Sequence, residues 1–219
     1  HGYRARNIHR SVRRSLERLH VEVLDIVHIH DALPEHLDQI FAEGGALEAL
    51  LDLKSQGVIR AIGMGTLSLK CLQTAVESGA FDVIQVFHTY TLLNQSAAHT
   101  LFPTARERNV SILNSAPYAG YILATGATSD ARYNYAPASE DVIAATRRIE
   151  AVCADKGVDL PTAALAYALH HPDVDNVVVA SGKPKRVDQW IAAMNAPLTA
   201  EDFAEMLTAA GGQFPLRND

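Results

Sequence analysis

Gly45-Ala46-Leu47-Glu48-Ala49-Leu50-Leu51-Asp52-Leu53-Lys54-Ser55-Gln56-Gly57-Val58-Ile59-Arg60-Ala61-Ile62-Gly63 holds one full unit of the pattern that decides the fold. Leu47, Leu50, Leu51 and Leu53 recur at helical spacing, and Gly57 supplies the stop. Val58 to Gly63 then forms a short run rich in branched residues, which reads as a buried strand. Outward from this unit the alternation repeats. Toward the N-terminus, Asn7 to Leu19 has Ile8, Val12, Ser15, Leu16 and Leu19 on one face and arginines on the other, and Val23 to Ile29 is the next strand. Toward the C-terminus follow a helix at Leu69 to Ser78, a strand at Asp82 to Phe87, a helix at Ala97 to Arg108 and a strand at Val110 to Asn114. A helix near Glu140 to Lys156, another after Pro161, a strand at Asn176 to Ala180 and helices at Val187 to Met194 and Ala200 to Ala209 close the chain.

Strands separated by helices, with almost no hairpin signals, imply parallel βαβ units whose sheet is covered on both faces. Two architectures then compete, an open doubly wound sheet and part of a (β/α)8 barrel. A dinucleotide fingerprint needs three glycines after a strand, and Gly63-Met64-Gly65-Thr66-Leu67-Ser68 lacks the third. A barrel instead puts its chemistry at the carboxyl ends of several strands.

Composition narrows the function classes. The chain has 219 residues, 48% hydrophobic and 20% charged, enough to bury a core without disulfides or metal. A net charge of -6 gives no basic footprint for nucleic acid. No apolar run approaches the roughly 18 residues of a membrane span, and the start lacks a signal-peptide layout. The two cysteines, Cys71 and Cys153, lie far apart in helical segments, which fits a reducing, cytoplasmic setting.

The strand ends carry the candidate chemistry. His28 and His30 alternate onto one strand face, followed by Asp31. They read either as satisfied core or solvated histidines, as a zinc pair lacking a third ligand, or as a hydrogen-bond donor to a bound carbonyl at His30. Gly63-Met64-Gly65 permits close approach of a ligand or a neighbouring backbone, or makes a tight turn. Gln85 is an amide inside an apolar strand, satisfied by the sheet or by a ligand. Ser181-Gly182-Lys183-Pro184-Lys185-Arg186 precedes a helix, a phosphate site or a solvated basic loop. The stretch Thr125 to Ser139, with Tyr133 and Tyr135, reads as a long loop that lines a pocket or runs over the surface.

Together these ends resemble the aldo-keto reductase family over nearly the whole chain. Ser15 to Leu19 with Leu24 to Asp31 is similar to the helix and fourth strand of that barrel, Ala46 to Gly63 to the next unit, and Phe81 to Gln85 with Leu92 to Gln95 to the sixth strand. Ala116-Pro117-Tyr118 and Gly120 to Leu123 resemble the loop over the cofactor pyrophosphate. The sugar and pyridoxal dehydrogenases are the most similar subgroup, on His30-Asp31 and Leu123 to Gly126. The resemblance implies a (β/α)8 TIM barrel, NAD(P) as cofactor and a small carbonyl or sugar substrate. It implies that His30 is the catalytic histidine, Gln85 holds the nicotinamide carboxamide, and Ser181 and Arg186 contact cofactor phosphate.

The chain departs from the family pattern at Gly65-Thr66, at Ser115 in place of an aromatic, and at Ala180 and Trp190, so NAD and NADP are not distinguished. No counterpart of the family's Asp, Tyr and Lys precedes His30. The start at His1 without Met leads to the expectation that residues 1–219 form a single partial-barrel domain, about five of eight βα units, cut from a longer enzyme and inactive alone. The alternatives are a non-catalytic nucleotide-binding relative and, third, a metal hydrolase using His28 and His30. No metal, membrane or nucleic-acid partner is expected, and the oligomeric state is not readable.

Overall fold

Alternating strands and helices run the length of the computed structural model, which describes residues 2–215; His1 and the last four residues lie outside that range. In chain order the elements are α1 (Ala5–Leu19), β1 (Leu24–His30), α2 (Leu37–Phe41), α3 (Ala46–Ser55), β2 (Ile59–Thr66), α4 (Leu69–Ser78), β3 (Val83–Phe87), α5 (Ser96–Glu107) and β4 (Ser111–Ser115). Then come α6 (Ile122–Thr125), β5 (Arg132–Tyr133), β6 (Ala136–Pro137), α7 (Glu140–Asp155), α8 (Leu160–His170), β7 (Asn176–Val178), α9 (Lys185–Met194) and α10 (Ala200–Ala210). A 3-10 turn at Pro34–His36 precedes α2.

The main sheet has five strands in the order β1-β2-β3-β4-β7. β1 pairs with β2 in parallel, in a register that sets His28 opposite Gly63 and His30 opposite Gly65. β4 and β7 are also parallel, with Leu113 opposite Asn176. This is the parallel α/β architecture that the alternation predicted. β1 and β7 stand at the two ends of the strand order, each with one neighbouring strand among the described residues.

The described residues divide into two compact units, one of residues 2–85 with 103–112, the other of 86–102 with 113–215. In the first unit, Ala46, Leu47, Ala49, Leu50 and Leu53 bury one face of α3, the face the leucine spacing marked. Ile59, Ile62, Met64, Leu72 and Ile84 are fully buried there, and each such side chain contributes about 1.5–3 kcal/mol. Lys54 Nζ reaches both oxygens of Asp82 (2.6 and 2.7 Å), and Asp82 Oδ2 also accepts the Ile62 amide at 2.7 Å, tying α3 to the edges of β2 and β3.

In the second unit an aromatic cluster forms the core. Tyr90 stacks on Tyr167 at 5.0 Å, and Phe102, His171 and Phe203 pack around them edge-on or tilted. Helix starts are set by local side chains. Ser139 accepts from the Val142 amide and Asp159 from the Thr162 amide, while Thr199 and Asp202 form a reciprocal capping box.

The segment Thr125 to Ser139 differs from the loop expected there. It contains an antiparallel hairpin of β5 and β6, with Arg132 opposite Pro137 and Tyr133 opposite Ala136. Its two-residue turn, Asn134 (φ 45°) and Tyr135 (φ 65°), has both central residues left-handed, as a type I′ turn requires. Asn-Gly is the usual signal for that turn, and tyrosine in the second position hid it. β2 also runs on to Thr66, three residues past the predicted end at Gly63.

Candidate functional site

His30 is the last residue of β1, and its side chain is 75% exposed at the strand's carboxyl end. Its Nδ1 lies 3.2 Å from Asp31 Oδ2. Asp31 holds a left-handed backbone (φ 53°), and its amide donates to the Gly65 carbonyl at 2.9 Å. The phenol of Tyr3 donates to the carbonyls of His30 (3.0 Å) and Asp31 (3.1 Å). Partial burial, then the nearby Asp31 carboxylate, raises the Tyr3 pKa and keeps that phenol a donor. The backbone on either side of the imidazole is therefore fixed while the ring faces solvent.

His28 takes a different role from its partner. Its ring lies across Gly63, where an added Cβ would come within 2.5 Å of Cδ2 and 2.7 Å of Nε2. The space that Gly63 leaves open is thus filled by a neighbouring side chain. Burial, then the proximity of His30, lowers the His28 pKa, and its buried Nε2 has no hydrogen-bond partner. At Gly65 an added Cβ would sit 3.6 Å from Gln85 Cβ, 3.8 Å from His28 Cδ2 and 3.9 Å from Gln85 Oε1. His28, Gly65 and Gln85 therefore line up across β1, β2 and β3 on one face of the sheet. Thr66, one of the departures from the family pattern, is buried, donating its hydroxyl to the Ala32 carbonyl at 2.7 Å and accepting from the Ser68 amide at 3.2 Å.

The second unit holds the other two predicted residues. Ser181 is exposed after β7, and its Oγ accepts from the Lys183 amide at 3.1 Å. Arg186 lies in the first turn of α9 and donates from Nη1 to Gln189 Oε1 at 3.2 Å. Lys183 and Lys185 are exposed beside them. A hydroxyl and three cations at the start of a ten-residue helix fit an anionic phosphate group. Tyr118 is hydrogen-bonded to Trp190; burial raises its pKa, and the Trp190 bond and the charge of Arg186 partly offset that rise. Ser115 donates its hydroxyl to the Val86 carbonyl at 2.7 Å.

Sequence reasoning missed Tyr3 and the histidine that follows β3, His88. Tyr3 had no signal, because its partners are carbonyls more than 25 residues away in sequence. His88 is 1% exposed, φ 61°, with burial pushing its pKa down to about 4. Among the described residues no three His, Cys, Asp or Glu side chains cluster as a metal site, and no helix is long and apolar enough to cross a membrane.

Parallel strands alternating with helices, with His30 at the carboxyl end of β1 in the first unit and Ser181 after β7 in the second, define a class, that of barrel-type folds. Within that class, the sequence model of the Aldo/keto reductase family matches residues 1–210, and the chain belongs to this family. It is 32% identical over 203 residues to a D-threo-aldose 1-dehydrogenase from Pseudomonas sp, covering 92% of this chain and 61% of that protein. It is 26% identical to a pyridoxal 4-dehydrogenase from Microbacterium luteolum, covering 82% of this chain and 55% of the relative. The chain thus spans less than two thirds of the length of these relatives. An aldo-keto reductase from Bacillus halodurans, in its holo form, superposes with a TM-score of 0.78 at 22% identity, over 100% of this chain and 72% of that one, a likeness of fold.

Proposed function

We propose that this chain is part of an NAD(P)-dependent aldo-keto reductase that passes a hydride between the cofactor and a small carbonyl or sugar substrate. The observation that carries this reading is His30, presented to solvent at the end of β1 with its backbone pinned and Asp31 beside its Nδ1. On this reading residues 1–219 belong to one barrel domain acting in the cytoplasm. The two buried free thiols suit that compartment, Cys153 being pushed up to about 11 by burial.

In the reaction the substrate oxygen must be polarised while the carbonyl carbon accepts a hydride. His30 would hydrogen-bond that oxygen, and the Asp31 carboxylate would orient the imidazole. Gln85 would hold the carboxamide, and Ser181 with Arg186 the cofactor phosphate. Bound NAD(P)H would supply the hydride.

Fluorescence titration of the chain with NADH and NADPH tests this. Saturable binding is expected, weakened at least about ten-fold by Arg186→Ala, because a charge-assisted bond contributes about 1.5–3 kcal/mol. A chain that binds neither nucleotide refutes the reading. The 219-residue chain alone is expected to show no NAD(P)H oxidation with aldehydes, since no residue before His30 matches the family's acid–base tyrosine. Binding without turnover, even when that tyrosine is supplied on a longer chain, would favour the second reading, a non-catalytic nucleotide-binding relative.

A further inference from the structure

Three unfavourable features meet at one place in the second unit. His88, directly after β3, adopts a left-handed backbone (φ 61°) although it is not glycine. Its ring is enclosed, the residue being 1% exposed, and its Nδ1 has no hydrogen-bond partner. Two rings cover it: Phe87 at 4.4 Å and 61°, and Tyr135 at 6.0 Å and 58°. Tyr135 in turn stacks on Phe87 at 6.0 Å and 8°. Yet Tyr135 is 64% exposed and sits at φ 65°, in the turn position where glycine costs nothing.

Backbone strain and an orphaned buried polar atom persist where something over-determines them, and such features cluster at ligand sites. Neighbouring contacts account for the backbone of His88: its carbonyl accepts Asn94 Nδ2 at 3.2 Å. They do not account for the free nitrogen. Of the two covering rings, Phe87 is held in β3, while Tyr135 rides on the tip of the β5–β6 hairpin, so Tyr135 is the one able to leave. The hairpin itself stays anchored, because the Tyr133 phenol donates to the Phe214 carbonyl, while Arg132 Nη2 donates to the Tyr135 carbonyl and fixes the turn's backbone from within, leaving the Tyr135 ring to move.

We propose that His88 Nδ1 is a recognition atom for a ring-shaped, hydroxyl-bearing small molecule, which displaces the Tyr135 ring from Phe87 and His88. A neutral imidazole nitrogen either donates or accepts according to its tautomer, and a hydroxyl can meet both cases. The aromatic walls suit the flat face of a six-membered ring. The side chain of Tyr135 acts as a stand-in occupant, lowering apparent affinity by the fraction of time it covers the site. The inference deepens the reductase reading by naming a specificity-determining residue. It rests on that reading only for the kind of ring, because binding is read without cofactor or turnover.

The test follows the imidazole nitrogens of His88 by NMR in the 219-residue chain, during titration with galactose in one arm and pyridoxine in another. The signal of Nδ1 is expected to move saturably in at least one arm, and which arm responds identifies a sugar or a hydroxylated pyridine. Tetrahydropyran and pyridine, which lack the hydroxyls, are expected to bind at least ten-fold more weakly, as sites built around a hydroxyl reject analogues without one. Tyr135→Gly relieves the turn and uncovers the site, so binding should tighten about three- to ten-fold. His88→Phe should abolish the preference for hydroxyls. A stationary Nδ1 signal in both arms overturns the proposal, as does equal binding of the hydroxyl-free rings. Weaker binding in Tyr135→Gly would remove Tyr135 from the role of cover. Should the His88 substitution unfold the chain, the wild-type titration and Tyr135→Gly decide alone.

Discussion

His30 ends β1 and His88 directly follows β3, yet the protein treats the two imidazoles in opposite ways. His30 follows the strand alternation, faces water and sits 3.2 Å from a carboxylate. His88 is enclosed by Phe87 and Tyr135, without a partner for Nδ1. The same side chain thus meets water and a carboxylate in one unit, while in the other burial pushes its pKa down to about 4. Position along a strand does not decide which. The surroundings do: Asp31 supplies a charge beside the first ring, and Phe87 with the distant Tyr135 supplies a cover over the second.

The largest effect expected from this contrast is on turnover. In a longer chain that carries the family's acid–base residues, His30→Ala should slow hydride transfer by about 10²–10⁴-fold, the usual range for a lost acid–base or polarising group. Cofactor affinity, measured by titration, should stay within about two-fold. A cofactor-binding defect as large as the rate defect would erase the distinction drawn for His30.

Stability against pH probes the other histidine. His88 is lowered from 6.5 to about 4 by burial, so between those values the unfolded chain binds a proton the folded chain does not. Its contribution is therefore fully present above about pH 6.5 and is lost as pH falls toward 4. The gap corresponds to on the order of 3 kcal/mol. His28 is shifted in the same direction and steepens the loss. Urea unfolding at pH 7 and pH 4.5 should show it, and His88→Phe should flatten the slope. An unchanged slope in that variant would place the titrating group elsewhere.

A smaller effect separates His28 from His30. Gly63→Ala would press a methyl into the His28 ring and should cost about 1–3 kcal/mol. Adding His28→Ala should restore part of that loss, a coupling that a double-mutant cycle in urea measures. Independent, additive losses would mean the ring does not occupy the glycine's space. The smallest expected change is at a helix start: Ser139→Ala removes the cap on α7 and should cost about 1 kcal/mol in the same denaturation assay.

Element boundaries were largely legible in the sequence, because leucine spacing and glycine stops are local signals. α3, α4 and β3 appear within a residue or two of where those signals put them. The hairpin at Arg132 to Pro137 was not, since a tyrosine stands where its turn signal should be. Candidate residues divided the same way. His30 and Gln85 could be picked out as polar side chains in apolar strands, and Ser181 and Arg186 as a hydroxyl and a cation before a helix. Tyr3 and His88 could not, for their significance lies in contacts made across long sequence separations.

What the amino-acid order determined by itself was therefore the repeating strand–helix unit, its parallel character and the family to which the chain belongs. Periodicity and turn chemistry act between near neighbours, and they survive in one dimension. The fates of the histidines were decided only by tertiary structure. Burial, a missing hydrogen-bond partner and the ring lying over Gly63 all depend on which distant side chains arrive beside them. An imidazole has a pKa near the working pH, so small differences in those surroundings settle what it can do.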